Sequence, residues 1–254
     1  KNSHFMHKYT FICDIGNTDT KICLYKKYKI VSFMRLKTKN INKLYLAKKL
    51  NVLKKYHNLL SFALISSVVP NVFKYFKIYF KKNNIKCFEL KDINLKKIIN
   101  IKVNYNQIGS DRIANAISIM DNKNNYIVVD FGTATNFDVI VKNSYIGGVI
   151  APGLQLSLDN LTKKASLIPS IKFNKLNNII SKNTKSAINA GFYFGFVGLI
   201  DNIINSIIKQ SGLKFKIVLT GGLASTFKNS LKFKAQIKKN LTINGVLKTA
   251  TQIR

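Results

Sequence analysis

Acidic residues are scarce in this chain. Ten Asp and Glu stand against 42 Lys and Arg in 254 residues, a formal net charge of +32. Arginine is scarcer still, with only Arg35, Arg112 and Arg254. Such an excess of positive charge invites a nucleic-acid reading. Its distribution argues against one. Lysines are scattered from Lys8 to Lys248 among much Asn and Ile, as an AT-rich genome would write them. Arginine is usually prominent in base readout. No specific nucleic-acid partner is expected, although polyanions should bind at low salt. The few carboxylates gain weight for the same reason: a chain that keeps ten of them has work for several.

Cysteine is limited to Cys13, Cys23 and Cys87. An odd count without CxxC spacing argues against a disulfide framework and a zinc site, and a reducing, cytoplasmic setting fits best. His4 and His7 stand at i, i+3 in a polar tail, a weak metal signal. The longest charge-free apolar stretch, Ala187–Ile200, is too short to span a bilayer, so no membrane partner is expected. The first residues carry no apolar core segment, so no signal peptide is expected. With 46% hydrophobic residues the chain should be globular, as one large domain or two small ones.

Two short stretches carry the same pattern. An apolar run enters Asp14-Ile15-Gly16-Asn17-Thr18, and a second, Tyr126–Val129, enters Asp130-Phe131-Gly132-Thr133-Ala134-Thr135. Each reads as a strand, a carboxylate at its end, a glycine turn and then hydroxyl or amide donors. A carboxylate there can hold a cation. The glycine lets backbone N–H groups approach an anion, and turn amides with threonine hydroxyls can bond phosphate oxygens. The repetition half a chain apart suggests a duplicated nucleotide-phosphate clamp with the ligand between the halves.

The surrounding pattern repeats as well. Strands are expected at 9–15, 20–26, 29–36, 62–66 and 85–89, with helices at 42–56, 71–83 and 112–121. In the second half strands are expected at 125–131, 136–142, 144–149 and 215–220. Helices are expected after Pro152-Gly153, over 184–210, and after Gly221-Gly222. Strand-strand-strand-helix-strand-helix, occurring twice, is the ribonuclease-H-like arrangement of the actin, Hsp70 and sugar-kinase superfamily. The implied fold is α/β, two such domains with an active-site cleft between them, covering 1–120 and 121–254.

The chain resembles the type III pantothenate kinases over about residues 9–249. The resemblance rests on Asp14–Thr18, Ser66-Ser-Val-Val-Pro70, Gly109-Ser-Asp-Arg112, Asp130–Thr135, Gly147-Gly-Val-Ile-Ala-Pro-Gly153 and Leu167-Ile-Pro169. Thr184 with Gly191, and Leu219-Thr-Gly-Gly222, complete the order. It implies transfer of the ATP γ-phosphoryl group to the primary hydroxyl of pantothenate, the first step toward coenzyme A. It also implies a homodimer, Mg2+, and K+ or NH4+. The competing readings are another small-molecule kinase of this fold and a regulatory or nucleic-acid-binding relative that lost catalysis.

By the same resemblance Asp111 is the general base, since a primary hydroxyl needs a carboxylate to orient it and take its proton. The plainer reading of Asp111 is a helix N-cap. Arg112 suits the pantothenate carboxylate; otherwise it is a surface residue in the first helical turn. Asp130 holds the monovalent cation, and Asp14 acts through Mg2+, through water. ATP phosphates should meet the segment Asp14, Ile15, Gly16, Asn17, Thr18, Asp19, Thr20 and Lys21, together with Thr133. Gly109, Ser110, Asp111, Arg112, Thr184 and Tyr105 are the pantothenate candidates. Thr184 is equally explained as a helix N-cap. Asp138 is either structural or functional, and Gly191, Gly195 and Gly198 suit close helix packing. Two positions depart from the family pattern. Asn136 stands where a Thr is usual, and the segment before Gly109 is one residue short of it, which leaves Tyr105 as the aromatic candidate.

Overall fold

The computed structural model describes residues 9–26, 29–165 and 171–253. The His4–His7 pair and the Leu167–Pro169 motif lie outside them. The chain opens with β1 (Tyr9–Ile15), β2 (Asp19–Lys26) and β3 (Lys29–Lys37). Next come α1 (Lys43–Leu50), a 3-10 helix (Asn51–Leu59), β4 (Leu60–Ser67), α2 (Pro70–Lys82), β5 (Cys87–Glu89), β6 (Asn100–Ile101) and α3 (Ser110–Ile119). The second series is β7 (Asn125–Phe131), β8 (Ala134–Val141), β9 (Ser144–Pro152), α4 (Leu154–Lys164) and α5 (Thr184–Ser211). It ends with β10 (Lys216–Gly221), α6 (Ala224–Phe227), β11 (Ala235–Ile237) and α7 (Leu241–Gln252).

The two series build sheets on one plan. The first runs β3-β2-β1-β4-β5, and the second includes β9-β8-β7-β10-β11 in the matching order. In each, the first three strands form an antiparallel meander, and the later pair runs parallel to the first strand. Strands with neighbours on both sides and cover on both faces read as unbroken apolar runs. Accordingly every residue of β1 is buried. The edge strand β3 is mostly exposed and carries Lys29, Arg35 and Lys37, charges that discourage further strand pairing.

Helices cover the sheets by their apolar stripes. In α2, Pro70 takes the first-turn position that needs no N–H. Val72, Phe76 and Phe80 then fall on one buried face. Phe80 meets Phe11 of β1 edge-on, with ring centroids 4.7 Å apart. In the second unit Tyr193, Phe196, Ile200 and Ile204 of α5 pack with Phe131 and Phe227.

Several expectations are corrected. The 42–56 helix is α-helical only over Lys43–Leu50, capped by the Asn42 side chain accepting from the Tyr45 N–H at 2.9 Å. It tightens into the 3-10 segment, where Leu53 is buried three residues after Leu50, the last residue of α1, the period of that tighter helix. Helix α3 starts at Ser110, before the expected 112. The apolar stretch taken as too short for a bilayer extends into the 28 residues of α5, because Asp201 and Lys209 enter without ending the helix. By length and composition α5 could cross a membrane. Its inner face is instead committed to the core, and buried Asp201 accepts from the Lys232 N–H at 3.0 and 3.2 Å.

Two compact units result. One holds the chain up to Ile119 together with the segment from Leu241 onward; the other is Met120–Asn240. The expected division at 120/121 assigned the C-terminal segment to the second half, whereas α7 packs on α3, β1 and β4 of the first. Leu241, Ile243, Val246 and Ala250 need an apolar partner, and the first unit supplies it. Thr242 donates its hydroxyl to Asn115 Oδ1 at 3.0 Å in this buried contact.

Candidate active site

The first turn sits at the end of β1. Asp14 is the last acidic group before it and is only 8% exposed. Its cross-strand neighbours are Lys21 on β2 and Ser66 on β4. Lys21 Nζ lies 3.9 Å from Asp14 Oδ2, so this lysine stands out from the rest by position. The Gly16 N–H donates to the Asp19 carbonyl at 3.1 Å and closes the turn. Asn17 and Thr18 are exposed on it. Ile15 is buried and offers only main chain; its carbonyl accepts from the Val68 N–H at 3.0 Å.

Two residues of this run point elsewhere. Thr20 is fully buried, with its Oγ1 3.0 Å from Thr38 Oγ1. The Asp19 carboxylate is held by Arg35 at 2.6 Å and Lys37 at 3.0 Å. Partial burial pushes its pKa up, but the hydrogen bonds and charges of Arg35 and Lys37 prevail and leave it below the ordinary carboxylate value.

The second turn repeats the geometry with a shorter link. Asp130 on β7 is half-buried between Asn136 of β8 and Thr220 of β10. The departure at Asn136 therefore falls directly opposite the proposed cation ligand. The Gly132 N–H donates to the Ala134 carbonyl at 3.0 Å, and Thr133 is exposed beside it. Gly153 backs this turn: a Cβ there would collide with the Thr133 carbonyl. The Pro152-Gly153 motif thus serves close backbone approach behind the turn.

The third element is the start of α3. Ser110 is buried; its hydroxyl donates to the Ser67 carbonyl at 2.9 Å and accepts from the Ser67 N–H at 3.3 Å. Glu89 accepts from the same N–H at 3.3 Å and from the Lys91 N–H at 2.6 Å. Burial raises the Glu89 pKa, with Ser110, Lys91 and Ser67 opposing through hydrogen bonds. The Ser110 side chain is therefore a latch between α3 and β4.

Asp111 lies inside the first turn of α3 and so is not its N-cap. Its Oδ1 accepts from the Arg112 N–H at 2.8 Å and sits so close to Gly109 that a Cβ there would strike it. Burial raises the Asp111 pKa; the Arg112 N–H and the Arg112 guanidinium act against that rise. A carboxylate with a raised pKa, held rigidly at a helix N-terminus, has the character of a proton acceptor. Val68 joins this element to the first turn. Its N–H bonds Ile15, and its side chain comes within 3.6 Å of the Cβ position of Gly109.

Tyr105 braces the approach to Gly109. Its hydroxyl donates to the Lys91 carbonyl at 3.0 Å, and Lys91 Nζ lies 5.2 Å over its ring. Lys91 Nζ also donates to the carbonyls of Ile108 at 3.0 Å and Asn106 at 3.3 Å. Thr184 is exposed at the first position of α5, and Asn183 is the cap, accepting from the Ser186 N–H at 2.9 Å. That removes the capping explanation for Thr184. Asp138 is buried and accepts from the Tyr145 hydroxyl at 2.9 Å, a pairing of β8 with β9.

Among the described residues no three His, Cys, Asp or Glu converge on one point. The oxygen groups at the two turns still suit hard cations. Asp14 alone fits Mg2+, which keeps several waters, and Asp130 with Asn136 and Thr220 beside it offers oxygen donors to a larger ion.

The family profile described as type III pantothenate kinase matches residues 10–206. The type III pantothenate kinase of Pelagibacter ubique (strain HTCC1062) is 54% identical over 243 residues, covering 95% of this chain and 98% of that protein. That of Sulfurihydrogenibium sp. (strain YO3AOP1) is 35% identical over 246 residues, covering 92% and 96%. Among solved structures, the ethanolamine utilization protein EutJ from Carboxydothermus hydrogenoformans aligns with a TM-score of 0.55 at 16% identity, covering 94% of this chain and 88% of that one. At that identity the likeness concerns the α/β fold alone.

Proposed function

We propose a role for each of these side chains from one established fact: the chain belongs to the type III pantothenate kinases. It is an ATP-dependent phosphotransferase that phosphorylates pantothenate, the first step of coenzyme A synthesis. The observation that carries the assignment of chemistry is the half-buried carboxylate of Asp111 in the first turn of α3, close against Gly109, with its pKa raised by desolvation. Asp111 accepts the proton of the pantothenate hydroxyl as its oxygen attacks the γ-phosphorus and ADP leaves. Arg112 pairs with the pantothenate carboxylate. Gly109 leaves room for Asp111, and Thr184 contacts the same substrate. Tyr105 and Ser110 act from behind, through the bracing contacts with Lys91 and Ser67.

The N–H groups and side chains of Gly16, Asn17, Thr18 and Thr133 take the phosphate oxygens, with Lys21 adding charge. Asp14 would hold Mg2+, and Asp130 would hold K+ or NH4+. When bound, these ions neutralise phosphate charge in a transfer that depends on positioning and electrostatics. An initial-rate assay with ATP and pantothenate, with and without K+, tests the cation reading. Asp130→Asn should weaken activation by the ion and raise the KM for ATP. Unchanged ion dependence in that variant would remove Asp130 from the role.

The active form is a homodimer in the cytoplasm. The three cysteines are free thiols, as a reducing compartment keeps them. Gly191, Gly195 and Gly198 lie along one stretch of α5, and a Cβ at any of them would meet nothing within 4 Å. Ile146, Val149 and Ile150 of β9 and Leu156 and Leu161 of α4 are exposed as well. A second copy would cover such surface, with an interface above roughly 1,000 Å². Light scattering at micromolar protein should give twice the chain mass; a monomer there would refute the dimer.

A further inference from the structure

We propose that Thr38, on the segment just after β3, is the positioning residue that sets the first phosphate turn for ATP. Its hydroxyl donates to the Gly16 carbonyl at 2.7 Å, and its main-chain N–H donates to the Thr18 carbonyl at 3.0 Å. One residue therefore grips both ends of the Gly16–Thr18 turn, whose Asn17 and Thr18 are exposed. Thr38 and Thr20 are both buried, 4% and 0% exposed, so neither touches a ligand on the open side.

The hydrogen bonds fix a direction. A hydroxyl has one proton, and that of Thr38 goes to Gly16. The 3.0 Å contact between Thr20 Oγ1 and Thr38 Oγ1 must then carry the Thr20 proton. The result is a relay in which Thr20 donates to Thr38 and Thr38 donates to the Gly16 carbonyl. In a trans peptide the C=O and the following N–H point opposite ways. A Gly16 carbonyl drawn back toward Thr38 therefore turns the Asn17 N–H outward, where an anion can use it. Asp19 steadies the other side, its carbonyl taking the Gly16 N–H and its carboxylate held by Arg35 and Lys37. Thr20 and Asp19, both within the run expected to touch ATP, belong on this reading to the support of the turn.

The inference rests on the reading that this turn receives the ATP phosphates. Thr38→Val keeps the shape and deletes the donor, leaving the Gly16 carbonyl and the Thr20 hydroxyl without their partner in a buried setting. A roughly tenfold rise in the KM for ATP should follow, with the KM for pantothenate unchanged. Equilibrium titration with ATP and Mg2+ should show the same loss. Thr38→Ser retains the hydroxyl and should restore ATP affinity, and Thr20→Val should produce a smaller loss. If Thr38→Val binds ATP like the parent, or if Val and Ser weaken it equally, Thr38 does not set the turn. A pantothenate KM that rises by the same factor would also overturn the assignment. Should Thr38→Val fail to fold, unchanged ATP affinity in Thr20→Val overturns the relay. Asp14→Asn separates the two levels. If it weakens ATP binding while Thr38→Val does not, only the Thr38 role fails; if neither does, the phosphate reading of the turn fails with it.

Discussion

Asp111→Asn should fold like the parent chain, still bind ATP, and lose roughly 10²–10⁴-fold in kcat. The amide is close to the carboxylate in size, and its Oδ1 can still accept from the Arg112 N–H that now holds Asp111. Stability should not fall. The folded pKa of Asp111 lies above its ordinary value because of burial. A carboxyl of that kind favours folding when protonated and costs stability once the pH exceeds both its unfolded and folded values. Replacing it with a neutral amide removes that cost. What Asn lacks is the capacity to take the hydroxyl proton.

The pH profile gives a second readout. A base works only when deprotonated, so kcat/KM should fall as the pH drops through the Asp111 pKa, and the acid limb should stand above the ordinary aspartate value. In Asp111→Asn that limb should vanish along with the rate. Arg112→Ala should divide differently, raising the KM for pantothenate far more than it lowers kcat, because a carboxylate partner is lost and the base is kept. A near-parental kcat in Asp111→Asn would leave the carboxylate as a first-turn charge on the helix dipole and nothing more.

Both glycine turns were legible because their pattern is local. A carboxylate, a glycine and hydroxyls between apolar runs can be read within six residues of sequence. Their environment is not local. The run from Asp14 to Lys21 looks like one continuous ligand surface, but strand alternation divides it. Lys21 falls opposite Asp14, while Thr20 turns inward to Thr38. Thr38 is a common residue type near the end of an exposed edge strand, and no motif marks it. Lys91 supports Tyr105 and Ile108, yet compositional excess of lysine hides it completely. Ser110 and Asp111 are adjacent in a motif but differently placed, because a helix start sends one side chain toward β4 and keeps the other over Gly109. The capping alternatives for Asp111 and Thr184 each miss the helix boundary by a single position. Asn183 and Thr184 are both capping types, Asn the better one, and the structure uses Asn183.

Gly245→Ala should lower the thermal midpoint by about 4–8 °C and reduce kcat by roughly tenfold or more. Considered alone, α7 predicts the reverse, since Ala is favoured over Gly in a helix interior by about 1 kcal/mol. The contact decides the sign. A Cβ on Gly245 would collide with the main-chain carbonyl of Ala114 on α3. Backbone cannot rotate away as a side chain can, so the two helices must separate. Overpacking of this kind costs about 1–3 kcal/mol and occasionally more. Separation also strains the buried bond from Thr242 to Asn115, so a net loss near 2 kcal/mol is expected after the helix-propensity gain. The functional effect follows from what α3 carries. Asp111 and Arg112 occupy its first turn, and Ala114 lies just beyond them. A helix pushed at Ala114 moves the base, and a misplacement of about 1 Å can cost as much as 10²-fold. Ala114→Gly should not rescue the variant, because the obstacle is a carbonyl that glycine also possesses. A raised thermal midpoint with full kcat in Gly245→Ala would mean that α7 yields without moving α3, and that the C-terminal helix covers the catalytic helix without placing it.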